Sequence, residues 1–273
     1  MKHKILFALF IACATHPITA ITLTAADIRK IGEKIWNSEA NCEITKLTHW
    51  NDGEGFASLG IGHFIWFPKG YKGRFSESFP DLIQFIAEHG RKIPTFLATN
   101  KKLVCPWNSR EEFFAAFESK KMKELRQFLF DTIDLQTKFI IQRLEKALPY
   151  ILKNLKTTAQ RAHVKKQFYR VASTAMGLYA LIDYTNFKGE GVNPGEAYNG
   201  HGWGLLQVLQ RMKGEKKGME AISEFSAAAL HVLIKRVVNA PKGSSELRWL
   251  PGWKKRVNSY TLPFTRPNKN SCI

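Results

Sequence analysis

The segment 28–67 places three kinds of local structure in direct succession. Its first part predicts an amphipathic helix that ends at Glu39, because apolar residues recur at helical spacing. These residues are Ile28, Ile31, Ile35 and Trp36. Residues 40–55 are polar and turn-rich, whereas residues 56–67 mix apolar residues with glycines and predict hairpin strands. A chain with this order needs a fold in which a small sheet lies beside helices.

Most of the remaining chain predicts helices. A helix starts at Ser78 or Phe79 and stops at Gly90. Further predicted helices cover residues 122–148, 168–184, 203–212 and 219–238. Pro149 is expected to end the first of these, and the tail from Pro241 has little periodicity. The expected fold class is therefore α+β and predominantly α: one helical domain with a small β-hairpin subdomain at about residues 47–67.

The N-terminus predicts a secretory signal peptide over residues 1–20. Lys2 and Lys4 precede an apolar run, and small residues lead to a cleavage site after Ala20. The apolar run is shorter than the roughly 20 residues that a membrane span needs. The mature chain is then a single exported domain, residues 21–273, secreted or periplasmic. Alternatives are an uncleaved anchor, a buried helix, or a lipoprotein modified at Cys13.

Removal of the signal leaves Cys42, Cys105 and Cys272. In an exported protein this odd count allows one disulfide and one free thiol. Cys42 and Cys105 flank the region around the hairpin and are one possible pair, but the sequence leaves the pairing open. Their spacings match no zinc site.

The chain is strongly basic, with 41 Lys and Arg against 23 Asp and Glu and a formal net charge of +18. The basic residues are spread along the sequence, so they predict a generally basic surface that concentrates polyanions. For an exported protein the expected polyanions are the cell wall and lipid head groups rather than nucleic acid.

The run Gly55-Phe-Ala-Ser-Leu-Gly-Ile-Gly-His-Phe64 resembles the β-hairpin of phage-type lysozymes, in which the catalytic glutamate lies a short way upstream on a helix. The resemblance implies a lysozyme-like fold and glycoside cleavage with Glu39 as the general acid. A general acid must be protonated near neutral pH, which burial favours. Ile35 and Trp36, one helical turn earlier, predict apolar walls for Glu39.

Glycoside hydrolysis usually needs a second carboxylate, and Asp52 and Glu54 are the candidates. By the resemblance, Asp52 takes the place of the family's aspartate and Ser58 that of a threonine that holds water. The competing interpretation is a simple turn, since Asn-Asp-Gly is favourable turn chemistry. Glu43 is an alternative general acid because its spacing to Asp52 needs no insertion, but Glu39 is preferred because it ends the helix.

Residues 186–191, which begin with Asn186, and residues 198–208 form a second constellation of glycines, aromatics and amides on a loop that enters a helix. Its candidate substrate-binding residues, together with the histidine that closes the hairpin run, are His63, Glu190, Tyr198, Asn199, Trp203 and Gln207. Glu190 is also an alternative second carboxylate. The competing interpretations are a structural histidine and a helix connection with core aromatics.

The sequence therefore predicts an exported peptidoglycan hydrolase, a monomer that acts without cofactor or metal. A lytic transglycosylase on the same fold needs only the glutamate and is the nearest alternative. Chitosanase-like activity on another aminosugar polymer and a non-enzymatic basic binder of polyanions are further alternatives. Motifs of zinc proteases, serine hydrolases and P-loop proteins are absent from the sequence.

Overall fold

A computed structural model describes residues 23–73, 75–98 and 103–264. Within these residues the chain is mostly helical, with a small antiparallel sheet, as predicted. The helices are α1 (Ala25–Ala40), α2 (Phe79–Glu88), α3 (Arg110–Ala115), α4 (Lys120–Asp131), α5 (Ile133–Lys153), α6 (Thr158–Val171), α7 (Ala175–Lys188), α8 (Leu205–Arg211), α9 (Met219–Asn239) and α10 (Glu246–Asn258). The strands are β1 (Thr48–His49), β2 (Ala57–Leu59), β3 (Phe64–Trp66), β4 (Ala197–Tyr198) and β5 (His201–Gly202).

Helix α1 begins at Ala25, before the predicted apolar stripe, and ends one residue after Glu39. Thr24 and Asp27 form a reciprocal capping box at its start, which satisfies two backbone donors. The apolar stripe is buried in the core, with Ile31 fully buried and Trp36 only 1% exposed. The helix ends where Asn41 adopts a left-handed backbone conformation, so Glu39 lies in the last turn.

The predicted hairpin is confirmed as strands β2 and β3, and the short strand β1 extends it to an antiparallel sheet in the order β1-β2-β3. The turn between β2 and β3 lies against α5. There Gln136 accepts a hydrogen bond from the backbone nitrogen of Ile61 at 2.9 Å. Gly60 has a positive φ, and a Cβ atom at this position would lie 2.3 Å from the side-chain oxygen of Gln136. Glycine is therefore needed for the turn to approach α5 this closely.

Two of the predicted long helices are each divided into two. Thr132 has a non-helical backbone and separates α4 from α5, so the single helix predicted over 122–148 is wrong at this point. Helix α5 also continues past Pro149, because Leu148 and Ile151 on either side of the proline are buried in the core. The helix predicted over 168–184 is likewise divided, and Thr174 caps the start of α7 by accepting a hydrogen bond from the backbone of Gly177.

The C-terminal part contains a helix that the sequence did not predict. Helices α8 and α9 lie where they were expected. Helix α10 follows in the supposedly irregular tail and includes Pro251. Trp253 and Val257 bury one face of α10, and packing against α9 compensates for its irregular sequence.

The cysteines do not pair across the hairpin region. Cys105 is a buried free thiol, and Cys42 is disulfide-bonded, so the possible Cys42–Cys105 pair is wrong. Cys13, Cys272 and the predicted signal peptide lie outside the described residues. In the described part of the chain, every helix is too short or too polar to cross a membrane.

Candidate functional site

Glu39 lines a cleft of about 470 Å³ that the small sheet and several helices enclose. The last turn of α1 supplies Glu39, and the turn between β2 and β3 supplies His63. The polar residues that complete the wall are Ser76 and Ser78 before α2, Arg143 on α5, Asn186 on α7 and Arg256 on α10. The structure thus brings Glu39 and His63 to the wall of one cleft.

The carboxylate of Glu39 forms an ion pair with Arg256, with 3.0 Å between Oε1 and Nη2. The Glu39 side chain is 30% exposed. Its immediate partner is therefore a cation, which differs from the apolar enclosure expected from Ile35 and Trp36. Those two side chains are buried in the core at 4% and 1% exposure.

A buried network behind the cleft fixes Arg256. The carboxylate of Asp183 accepts hydrogen bonds from Nε and Nη2 of Arg256, both at 2.8 Å, and from the hydroxyl of Tyr260 at 2.6 Å. Burial disfavours the charge of Arg256, but the hydrogen bonds and charge of Asp183 outweigh it and raise the pKa of Arg256 above its ordinary value. The network therefore holds a permanent positive charge beside Glu39.

Asp52 and Glu54 lie in a different concavity, of about 570 Å³, whose wall includes Tyr71 and Arg110. The turn interpretation describes these residues well, since Glu54 accepts a hydrogen bond from the side chain of Asn51 at 2.8 Å. Among the described residues that line the Glu39 cleft, neither of these carboxylates is present. The structure does not bring the predicted second carboxylates to Glu39.

Ser58 and Glu43 also lie outside the wall of the Glu39 cleft. Ser58 is 5% exposed in β2, where it pairs with His49 and Ile65 in the neighbouring strands. Glu43 lies beyond α1 and forms an exposed ion pair with Lys46 at 2.9 Å. The geometry favours Glu39 over Glu43 as the carboxylate of the cleft.

Glu190 lines a small cavity of about 80 Å³ that adjoins the Glu39 cleft. The two spaces share Gly62, Arg143 and Asn186 as lining residues, so they form one connected depression. Burial raises the pKa of Glu190. The positive charge of Arg143 opposes this shift, whereas the negative charge of Glu196 adds to it. Of the second constellation, Asn186 lines the cleft itself and Glu190 lies beside it.

The other four predicted binding residues make contacts within the protein. Tyr198 donates a hydrogen bond to Glu246 at 3.0 Å, and Trp203 is 7% exposed. Gln207 bonds the backbone of the glycine-rich loop at two points, both at 2.9 Å, and Asn199 contacts Asn239. The structure does not bring these side chains into the wall of the Glu39 cleft.

The residues that sequence reasoning missed are Arg143, Asp183 and Arg256. The available signal was Asp183, a single acid in the strongly apolar sequence of α7 that needs a buried partner. Arg256 gave no signal, because it lies in a helix whose sequence shows little periodicity. Arg143 resembles an ordinary polar residue on a helix surface.

Among the described residues there is no cluster of three or more His, Cys, Asp or Glu side chains that could hold a metal ion. No protein-family model matches the chain, and comparisons with curated proteins and with solved structures find no match either. The geometry of the Glu39 cleft is accordingly the main basis for a functional proposal.

Proposed function

We propose that this protein has a lysozyme-like fold and cleaves β-1,4 glycosidic bonds of peptidoglycan or a related aminosugar polymer. The observation that carries the proposal is the position of Glu39, at the end of a helix, in a cleft closed by the turn of a small hairpin. A volume of about 470 Å³ is within the usual range of ligand sites. The resemblance of residues 55–64 to the hairpin of phage-type lysozymes supports the same assignment.

In the proposed reaction Glu39 donates a proton to the glycosidic oxygen while the bond from that oxygen to the anomeric carbon breaks. Before this step the glycan takes the place of Arg256 beside the Glu39 carboxyl group, which is then protonated. Arg256, whose position the buried Asp183 fixes, stabilises the carboxylate again after the proton has been donated. A hydroxyl group then adds to the anomeric carbon, and its proton returns to Glu39.

The source of that hydroxyl group separates two candidate activities. Hydrolysis uses water and normally a second carboxylate, for which Glu190 in the adjoining cavity is the remaining candidate. A lytic transglycosylase uses a hydroxyl of the substrate itself and needs only the glutamate. Because Asp52 and Glu54 lie in a separate concavity, the lytic transglycosylase, which needs no second carboxylate, is the alternative activity.

Mass spectrometry of muropeptides after digestion in ¹⁸O-labelled water tests the proposal. Hydrolysis places the label at the new reducing end, whereas transglycosylation gives an unlabelled anhydro end. Intact peptidoglycan after prolonged incubation contradicts both activities. Retention of the protein on intact peptidoglycan without cleavage indicates a non-enzymatic basic binder, for which the net charge of +18 is sufficient.

Export to the periplasm or the cell exterior is part of the proposal and is supported by the N-terminal sequence. Fractionation of expressing cells tests it: the proposal expects a mature protein that begins after Ala20 outside the cytoplasm. A full-length protein retained in the cytoplasm contradicts it.

A further inference from the structure

Arg143 lies where three concavities meet. It lines the Glu39 cleft, the small cavity of Glu190, and a third groove of about 380 Å³ between α2 and α5. The third groove shares Ser76 and Ser78 with the Glu39 cleft, so the two are continuous. A polymer in the Glu39 cleft would therefore place its side groups within reach of Arg143.

The guanidinium of Arg143 has no hydrogen-bond or ion-pair partner among the described residues. The guanidinium lies over the ring of Phe139, whose centroid is 6.0 Å away, and its charge acts on Glu190 in the small cavity. Arg256, the other arginine of the cleft, is already bonded to Glu39 and Asp183. Arg143 is thus a cation with free donors that faces the connected depression.

A guanidinium with free donors is suited to a carboxylate, which it can bind with two parallel hydrogen bonds. Peptidoglycan carries carboxylates on every second sugar, either on the lactyl group or on the peptide attached to it, whereas chitin carries none. The third groove carries side chains of both signs of charge, with the acidic Asp81 and Glu88 on α2 and the basic Lys146 on α5. This arrangement suits a peptide that has both carboxylate and amino groups.

We propose that Arg143 binds the carboxylate of the substituent on the muramic sugar, and that the groove between α2 and α5 accommodates the rest of that substituent. Arg143 is then the residue that makes the cleft selective for peptidoglycan over a neutral aminosugar polymer. This inference rests on the proposed function, because it requires a glycan strand in the Glu39 cleft.

The test measures binding of soluble glycans by calorimetry, with Glu39→Gln in every protein to stop turnover. The three ligands are peptide-bearing peptidoglycan fragments, the same strands after enzymatic removal of the peptides, and chitin oligosaccharides. Arg143→Gln should weaken binding of the peptide-bearing fragments about tenfold or more, because it removes a charged hydrogen-bond donor. Binding of chitin oligosaccharides should not change.

Control variants and the pattern of losses make the test specific. Lys138→Gln removes the same charge from an exposed position on α5 that lines none of the three spaces, so it should leave all binding intact. Arg143→Lys should retain part of the affinity, since it keeps the charge but loses the planar fork. A loss confined to peptide-bearing fragments shows that Arg143 binds a carboxylate of the peptide. A loss with both fragments shows that it also binds the lactyl carboxylate that removal of the peptide exposes.

The inference is overturned if Arg143→Gln binds all three ligands as the parent does, or if it weakens chitin binding equally. Failure of the proposed function has a different signature, because the unaltered protein then cleaves no peptidoglycan. Absence of binding to every ligand by the parent protein overturns both.

Discussion

Replacement of Asp183 by asparagine keeps the size of the side chain and removes the negative charge behind the cleft. Asp183 is 4% exposed and is the principal counter-charge of Arg256. Loss of one partner from a buried ion pair costs about 3–5 kcal/mol. Arg256 is 32% exposed and keeps Glu39 as a partner, so we expect the lower end of this range, about 3 kcal/mol.

Urea unfolding measures this loss directly. A loss of about 3 kcal/mol in the free energy of unfolding lowers the urea midpoint by about 1 M, if the m-value is unchanged and lies near the upper end of the usual range. The same loss lowers the Tm by about 6–12 °C. The matched control is Asp131→Asn on α4, an exposed aspartate whose hydrogen-bond partner among the described residues is Gln127 on its own helix. It should change stability by less than about 0.5 kcal/mol. Equal and small effects of the two variants would refute the assignment of Asp183 as the anchor of Arg256.

Three further predictions concern stability and reactivity. Gly177→Ala should destabilise the protein by about 1–3 kcal/mol in thermal unfolding, although alanine usually favours helices, because its Cβ would lie 1.9 Å from the backbone oxygen of Val171; an unchanged Tm contradicts this. Burial, together with the charge of Arg236, lowers the pKa of Lys188 to about 7. Burial of the charged amine therefore reduces the free energy of unfolding by its full amount below about pH 7, and this reduction becomes smaller as pH rises toward the ordinary pKa of lysine. The Tm of Lys188→Met relative to the unaltered protein should therefore be higher at about pH 6 than at about pH 9, and a difference independent of pH would show that Lys188 titrates normally. Burial raises the pKa of the Cys105 thiol to about 12, so it should resist alkylation in the native protein at about pH 8 and react after unfolding, as mass spectrometry of the labelled peptide can show.

The sequence predicted those parts of the fold that local periodicity and end signals determine. The stripe of α1, its end near Glu39 and the hairpin of β2 and β3 all follow from the spacing of apolar residues and glycines. The predicted long helices were divided at Thr132 and Thr174, because a threonine that bonds nearby backbone competes with the helix while the apolar spacing continues on both sides.

The site was harder to predict because it depends on contacts between distant parts of the chain. The partner of Glu39 comes from α10, and packing against α9, rather than any local signal, keeps α10 helical. Asp52 and Glu54 were candidates through spacing along the chain, whereas the turn that contains them faces another side of the sheet region. Tyr198 and Trp203 are residue types typical of a sugar-binding loop. In the structure, however, Tyr198 bonds Glu246 and the ring of Trp203 lies under Arg236.

The central claim is that Glu39 is the proton donor of a glycan-cleaving cleft. The most direct measurement is the rate of muropeptide release from purified peptidoglycan by Glu39→Gln and by the matched control Glu43→Gln, with folding of both verified by circular dichroism. Glu39→Gln should lower the rate by about 100-fold or more, since it removes the general acid. Glu43→Gln should have no effect, because Glu43 pairs with Lys46 outside the cleft. A folded Glu39→Gln protein that releases muropeptides at the rate of the unaltered protein would show that Glu39 is not the proton donor.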